Sequence, residues 1–311
     1  MSVAKANLFG IELTERLDQA GFWHRAAMVG GRLGARRIAA SVYQAAAGLP
    51  IWPYHYHHGI EEWLYVIAGA PVLREPAGER ALSPGDLVCF PSGPAGAHTL
   101  YGPGRFVIFA TDQHAEPWMS VYPDSDKVSG PEGMLLRSSA VGYWHNEGTA
   151  GPQPADPVAP DAGKPTPRPV VNLFEPGREP HEIRARKTEL GPLVHAERLG
   201  GTVVEMDPLE EPEPYHYVHG REDWLLVLAG NPTMRHAEGE MQLDAGDAVC
   251  LPEGPAGARR LDNRSDSAVR VVWLSTTTQP TSAYYPDTGR WLLQHGPGPD
   301  ETVSVESTRR I

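Results

Sequence analysis

The sequence predicts an all-β protein made of two similar domains in tandem, on three observations. The first is a long internal repeat. Residues 54–69 read YHYHHGIEEWLYVIAG and residues 215–230 read YHYVHGREDWLLVLAG, an offset of 161 from Tyr54 to Tyr215. So long a period marks duplicated domains rather than a solenoid. The second is the spacing of turn signals, roughly every 8 to 12 residues, which suits a sandwich or barrel of short strands. The third is the segment 147–169, EGTAGPQPADPVAPDAGKPTPRP, which is rich in Pro, Ala and Gly and lacks apolar periodicity. It reads as an extended linker, with a first domain over residues 1–146 and a second over 170–311.

Within the first copy, residues 36–44 alternate as a strand, and 61–68 form a strand that enters a turn at Gly69-Ala70-Pro71. Ser83-Pro84-Gly85-Asp86 is a turn, 87–90 a strand closed by Pro91, and 105–110 a further strand. Short helices are expected near residues 13–20 and 133–138. The repeat continues through Gly85, Asp86, Pro91, Gly93, Pro94 and Gly96, which recur as Gly246, Asp247, Pro252, Gly254, Pro255 and Gly257. Looser echoes flank it: Asn7-Leu8-Phe9 with Asn172-Leu173-Phe174, and Tyr122-Pro123-Asp124 with Tyr285-Pro286-Asp287.

Composition narrows the partners. With 311 residues, each half is long enough to bury a core. A formal net charge of -12 disfavours nucleic acid and anionic membrane surfaces. The N-terminal MSVAKANLFG lacks a signal-peptide core and no run approaches a membrane span, so a cytoplasmic protein is expected, as a monomer or homodimer. Cys89 and Cys250 occupy equivalent strand positions and read as two reduced, buried thiols.

The chemistry concentrates in the first copy. Strand alternation turns His55 and His57 to one side. In the next strand it puts Glu62, Leu64 and Val66 on one face and Glu61, Trp63 and Tyr65 on the other. His98 follows the tight PSGPAGAH turn. Imidazoles with a carboxylate suit a divalent transition metal better than Ca or Mg.

The segment HYH, four residues, Glu62, six residues, Gly69 resembles the first motif of the cupin superfamily. Gly85, five residues, Pro91-Ser92-Gly93 and then His98 resemble its second motif. The likeness covers both halves and implies a bicupin: two tandem cupin-type jelly-roll β-barrels with few short helices. It implies that His55, His57, Glu62 and His98 bind one metal (Fe, Mn, Zn, Ni or Cu) in the first barrel, with Leu64 and Val66 lining the pocket. Three departures mark a distinct subfamily. Gly48 lies seven residues before His55, the loop from Gly93 to His98 is two residues long beyond the common form, and Gly102 stands where an Asn often follows the last His.

In the second copy His216 and Asp223 remain, but Val218 replaces the second His and Arg259 the third. Two of four donors are gone, so this is a degenerate site. Arg259 is expected to neutralise Asp223 or Glu222, leaving a metal-free, structural barrel. Alternatively, Arg259 and Arg260 hold an anion such as a carboxylate. His58 and His219 read as turn-stabilising by hydrogen bonds. Tyr54, Trp52, Trp63 and Tyr101 read as packing residues near the mouth, and His145, in GYWHNEG, as an exposed residue more than a general base.

Three functions follow as expectations. The first is a dioxygenase-type oxidoreductase acting on a small organic molecule. The second is a non-redox lyase, isomerase, decarboxylase or cyclase, and the third a non-catalytic small-molecule-binding bicupin. No Gly-rich phosphate loop follows a strand.

Overall fold

The computed structural model describes residues 3–111, 118–131, 133–139, 165–174, 186–277 and 279–294, and the backbone of 301–304. The described residues are almost entirely β, and no helix among them is long and apolar enough to cross a membrane.

Each half builds a large antiparallel sheet. The first runs in the order Val170–Asn172, Asp86–Phe90, Glu62–Gly69, Gly104–Thr111, Ile38–Ala45, Phe22–Met28, Glu15–Gln19. The second runs Lys5–Asn7, Asp247–Leu251, Asp223–Ala229, Val269–Thr276, Leu199–Met206, Arg186–Glu189. Smaller sheets close each barrel, among them the one that pairs Tyr56–His58 with Met119–Tyr122. The strands expected from alternation are all present, with ends shifted by a residue or two.

The two stretches expected as short helices are strands. Residues 15–19 pair with Phe22–Met28 in a tight hairpin, where Ala20 and Gly21 both take positive φ (53° and 86°). Such a turn matches strand twist and holds the hairpin against local helical preference. Gly133–Leu136 pairs with Lys127–Gly130 and is followed by one 3-10 turn at Arg137–Ser139. In both cases long-range pairing overrides weak local propensity.

Alternation decides what each sheet faces. Leu64, Val66, Val88 and Phe106 fill the first barrel, and Leu225, Val227, Val249 and Val271 fill the second. The opposite faces meet: Trp63, Tyr65, Val107 and Phe109 share the largest apolar cluster with Trp224, Leu226, Val272 and Leu274. Phe109 and Trp224 cross edge to face at 5.6 Å. Cys89 and Cys250 are both free and both sit in this shared core. Trp63 therefore packs between the barrels and does not shape the mouth.

Sheet membership departs from the expected division of the chain. Lys5–Asn7 joins the second barrel's sheet beside Asp247–Leu251, and Val170–Asn172 joins the first barrel's sheet beside Asp86–Phe90. This reciprocal exchange accounts for the Asn-Leu-Phe echo. Asn7 and Asn172 donate Nδ2 hydrogen bonds to Asp247 (3.1 Å) and Asp86 (3.0 Å). Leu8 and Leu173 plug the shared core. Phe9 and Phe174 lie over Gly246 and Gly85, where an added Cβ would meet the ring at 2.7 Å.

The repeated Glu61 and Glu222 tie the barrels together in the same reciprocal way. Glu61, wholly buried, accepts hydrogen bonds from the backbone N–H of Glu197 (2.7 Å), Arg198 (3.1 Å) and Leu199 (2.9 Å) and from Trp63 Nε1 (3.1 Å). Glu222 accepts from the backbone of Arg36 (2.7 Å), Arg37 (3.2 Å) and Ile38 (2.9 Å). Each carboxylate thus caps the strand entry of the other barrel.

Candidate metal centre and its altered copy

His55 and His98 are joined by a two-way backbone bridge, His55 N–H to His98 O at 3.1 Å and His98 N–H to His55 O at 2.8 Å. The His98 ring stacks on Phe90 at 3.7 Å. His57 comes from the same strand as His55's neighbour Tyr56, and Glu62 is the first residue of the next strand.

Each imidazole is held from behind. His55 Nδ1 donates to Pro53 O (2.9 Å) and His98 Nδ1 to Gly96 O (2.9 Å); a carbonyl only accepts, so both Nε2 atoms carry lone pairs. His57 Nδ1 meets Ser120 Oγ at 2.8 Å. Ser120 is a supporting residue that nothing in the sequence marks, because it reaches His57 through the pairing of Met119–Tyr122 with Tyr56–His58.

The free ends converge. Donor atoms of His55, Glu62 and His98 all lie within 4.8 Å of one another. His57 Nε2 lies 3.1 Å from His55 Nε2 and 3.5 Å from Glu62 Oε2, and His98 Nε2 lies 3.6 Å from that same oxygen. Glu62 Oε2 and His98 Nε2 are buried with no hydrogen-bond partner. Buried polar atoms are ordinarily paired, so lone pairs gathered in this way suit a cation. Burial pushes the imidazole pKa of His55 and His57 down to about 4, that of His98 well below the usual range, and that of Glu62 up. The three imidazoles are therefore neutral, the form that ligates metal.

A cavity of about 460 Å³ adjoins the donors, with His57 and Glu62 in its wall. The rest is mainly apolar, including Ile60, Ile108, Ala110 and Met28, with the Tyr43 ring reaching in. Burial, reinforced by the nearby Glu62, pushes the Tyr43 hydroxyl up to about 12. Leu64 and Val66, expected to line the pocket, are wholly buried in the barrel core instead. They stand deeper along the strand than Glu62, where side chains pack against Phe90 and Phe106. Leu64's cross-strand partner Ile108 lines the cavity in their place, with Ser41 one strand further. That register is invisible in a single strand's pattern.

Other expected site neighbours are placed as follows. Trp52 approaches His55 and His98 edge-on at 5.9 and 6.2 Å. Tyr54 lies under Arg74, which grips Asp124; Tyr215, Arg235 and Asp287 repeat this, which explains the Tyr-Pro-Asp echo. Tyr101 is in a closing strand. His58 and His219 are exposed and pack edge-on against Tyr56 and Tyr217, a ring contact in place of the expected turn hydrogen bond. His145 lies outside the described residues.

In the second barrel the backbone bridge recurs between His216 and Arg259, and His216 Nδ1 meets Pro214 O at 2.8 Å. Val218 is buried and apolar. Arg259, 4% exposed, pairs through Nη2 with Asp223 Oδ2, while Arg221 Nε lies 2.9 Å from Asp223 Oδ1. Of the two acids expected to meet Arg259 the structure selects Asp223, because Glu222 is turned to the other barrel. Arg260 pairs with Asp262 at 2.8 Å rather than joining Arg259.

Residues 202–275 match the family described as cupin domain. No curated protein matches the chain. Among solved structures, a mutant of Bacillus subtilis oxalate decarboxylase is similar at 16% identity and a TM-score of 0.54, over 89% of this chain and 78% of its own. The same enzyme at pH 4.6 gives 16% and 0.52, over 87% and 75%. A sugar phosphate isomerase of the cupin superfamily from Silicibacter pomeroyi covers 40% of this chain and 84% of its own at 20% identity, with a TM-score of 0.37. Likeness at this level establishes fold and not chemistry. Residues 202–275 thus match a cupin domain, and the chain as a whole has a bicupin fold.

Proposed function

We propose that the first barrel is the active site of a metal-dependent enzyme, an oxidoreductase of the dioxygenase type acting on a small, neutral, largely apolar organic molecule. His55, His57, Glu62 and His98 would hold one divalent transition metal. The observation that carries this reading is the convergence of donor atoms of His55, Glu62 and His98, two of them otherwise orphaned, with His57 Nε2 3.1 Å from His55 Nε2, beside a 460 Å³ cavity that His57 and Glu62 line. When bound, such a metal leaves open positions that supply oxygen activation and polarisation of a carbonyl or enolate.

The protein's own contribution is positioning and exclusion of water. Pro53, Gly96 and Ser120 fix the imidazoles. Ile60, Ile108 and Ala110 supply an apolar wall, and Tyr43, kept protonated, can donate a hydrogen bond to a substrate oxygen. Among the described lining residues there is no Lys or Arg, which counts against a dianion or a sugar phosphate. Beside the metal donors, the same lining holds no side chain that titrates near neutrality. A proton-shuttling isomerase or lyase commonly uses such a group, so this lining favours oxygen chemistry at a metal. The second barrel, with Val218 and the Arg259–Asp223 pair, would bind no metal.

The test is metal analysis of the purified protein, with oxygen uptake on adding neutral diketones and catechols. Iron with oxygen consumption is expected. Tightly held zinc, manganese or nickel, with turnover unchanged when oxygen is removed, would instead establish the non-redox enzyme.

A further inference from the structure

The second barrel keeps a cavity at the place where the first has its own. Thr202 stands for Ser41, Asp223 for Glu62, Arg259 for His98 and Arg221 for Ile60, all at the repeat offset. The cavity measures about 350 Å³ and is polar where the first is apolar.

At its inner end the charges do not cancel, although over the whole lining Lys187, Arg221 and Arg259 are matched by Glu189, Glu213 and Asp223. Two guanidiniums, of Arg221 and Arg259, surround one carboxylate, of Asp223. Lys187 is neutralised by Glu213 at 2.5 Å and adds nothing net. The two arginines also keep donors in reserve. Arg259 spends Nη2 on Asp223 and turns Nη1 to Gly257 O at 3.5 Å, and its Nε is buried with no partner. Arg221 Nε stands 2.9 Å from Asp223 Oδ1 as an ion pair outside hydrogen-bond geometry. A buried guanidinium N–H left unpaired is costly, and a guanidinium edge fits a carboxylate. Beside them, Trp273 and Val204 form an apolar wall.

We propose that the second barrel is a binding site for a small organic monocarboxylate. Its carboxylate meets Arg221 and Arg259 and its apolar body lies on Trp273. The site needs no metal: the built-in guanidinium pair provides the positive charge. It is independent of the chemistry proposed for the first barrel.

The experiment is calorimetric titration of the full chain with acetate, pyruvate and benzoate, with benzamide and inorganic phosphate as controls. One carboxylate is expected to bind at one equivalent per chain, with benzamide and phosphate silent. Arg221→Ala leaves one guanidinium on one carboxylate, a balanced pair, so affinity should fall at least tenfold. Arg221 is partly exposed, so the variant should fold. Glu62→Gln, in the other barrel, should bind the carboxylate unchanged. The proposal is overturned if none of the three carboxylates binds, if Arg221→Ala binds as tightly as the parent, if benzamide matches benzoate, or if Glu62→Gln abolishes binding.

Discussion

Glu61 and Glu62 are adjacent carboxylates with opposite tasks, and exchanging each for glutamine separates them. Glu61 Oε2 accepts from the N–H groups of Glu197 and Arg198, and Oε1 from Leu199 N–H and Trp63 Nε1. In Glu61→Gln one oxygen becomes an NH₂ donor. Whichever way the amide turns, two of the four bonds are lost and two buried donors face another donor. At about 1–3 kcal/mol for each unsatisfied buried group, the variant should lose about 2–6 kcal/mol of stability. For a chain of 311 residues that lowers Tm by at least about 3 °C. Its metal content should match the parent, because the side chain faces away from the imidazoles. Glu62→Gln should show the reverse: metal lost, with the metal-free protein close to the parent apoprotein in Tm, since Glu62 Oε2 has no hydrogen-bond partner to lose. Thermal unfolding with and without a chelator, alongside metal analysis, reads both quantities. If Glu61→Gln empties the metal site at unchanged apoprotein stability, the strand's facing has been assigned the wrong way round.

Three further outcomes follow from the geometry. Arg259→His alone should leave metal content at one equivalent per chain, because Val218 still lacks a donor and Arg221 still occupies Asp223; a second equivalent in metal analysis would contradict this. Leu8→Ala empties a wholly buried position in the shared core and should cost about 2–5 kcal/mol in denaturant unfolding, although Leu8 lies far in sequence from the barrel its strand joins; a loss under about 1 kcal/mol would argue against the exchanged strand. Cys89 and Cys250 should resist a thiol reagent in the native protein and both react in denaturant, since burial pushes both thiols up; rapid native labelling would place them elsewhere.

The opposite facing of Glu61 and Glu62 was legible because it depends on a local rule. Period-two alternation puts Glu62 on the barrel face and Glu61 on the other, and the structure keeps that division. The partners of Glu61 were not legible, because Glu197, Arg198 and Leu199 reach it only when two sheets stack. Ser120 was hidden for the same reason. The expected pocket residues Leu64 and Val66 were misplaced because facing inward does not say how deep a residue lies. The helices expected near 13–20 and 133–138 gave way to pairings that no local window contains.

The sequence by itself determined the duplication, the all-β class, the residues facing each barrel interior, and the replacement of His57 and His98 by Val218 and Arg259 in the second copy. Side-chain type and strand periodicity are enough for these. Only the tertiary structure decided that Asn7-Leu8-Phe9 and Asn172-Leu173-Phe174 cross to the opposite barrel, that Glu61 and Glu222 join the two halves, and that one cavity is apolar while its counterpart sets two guanidiniums on the carboxylate of Asp223. These features arise from contacts between segments far apart in the chain, and strand register and sheet stacking, which set those contacts, are properties of the assembled fold.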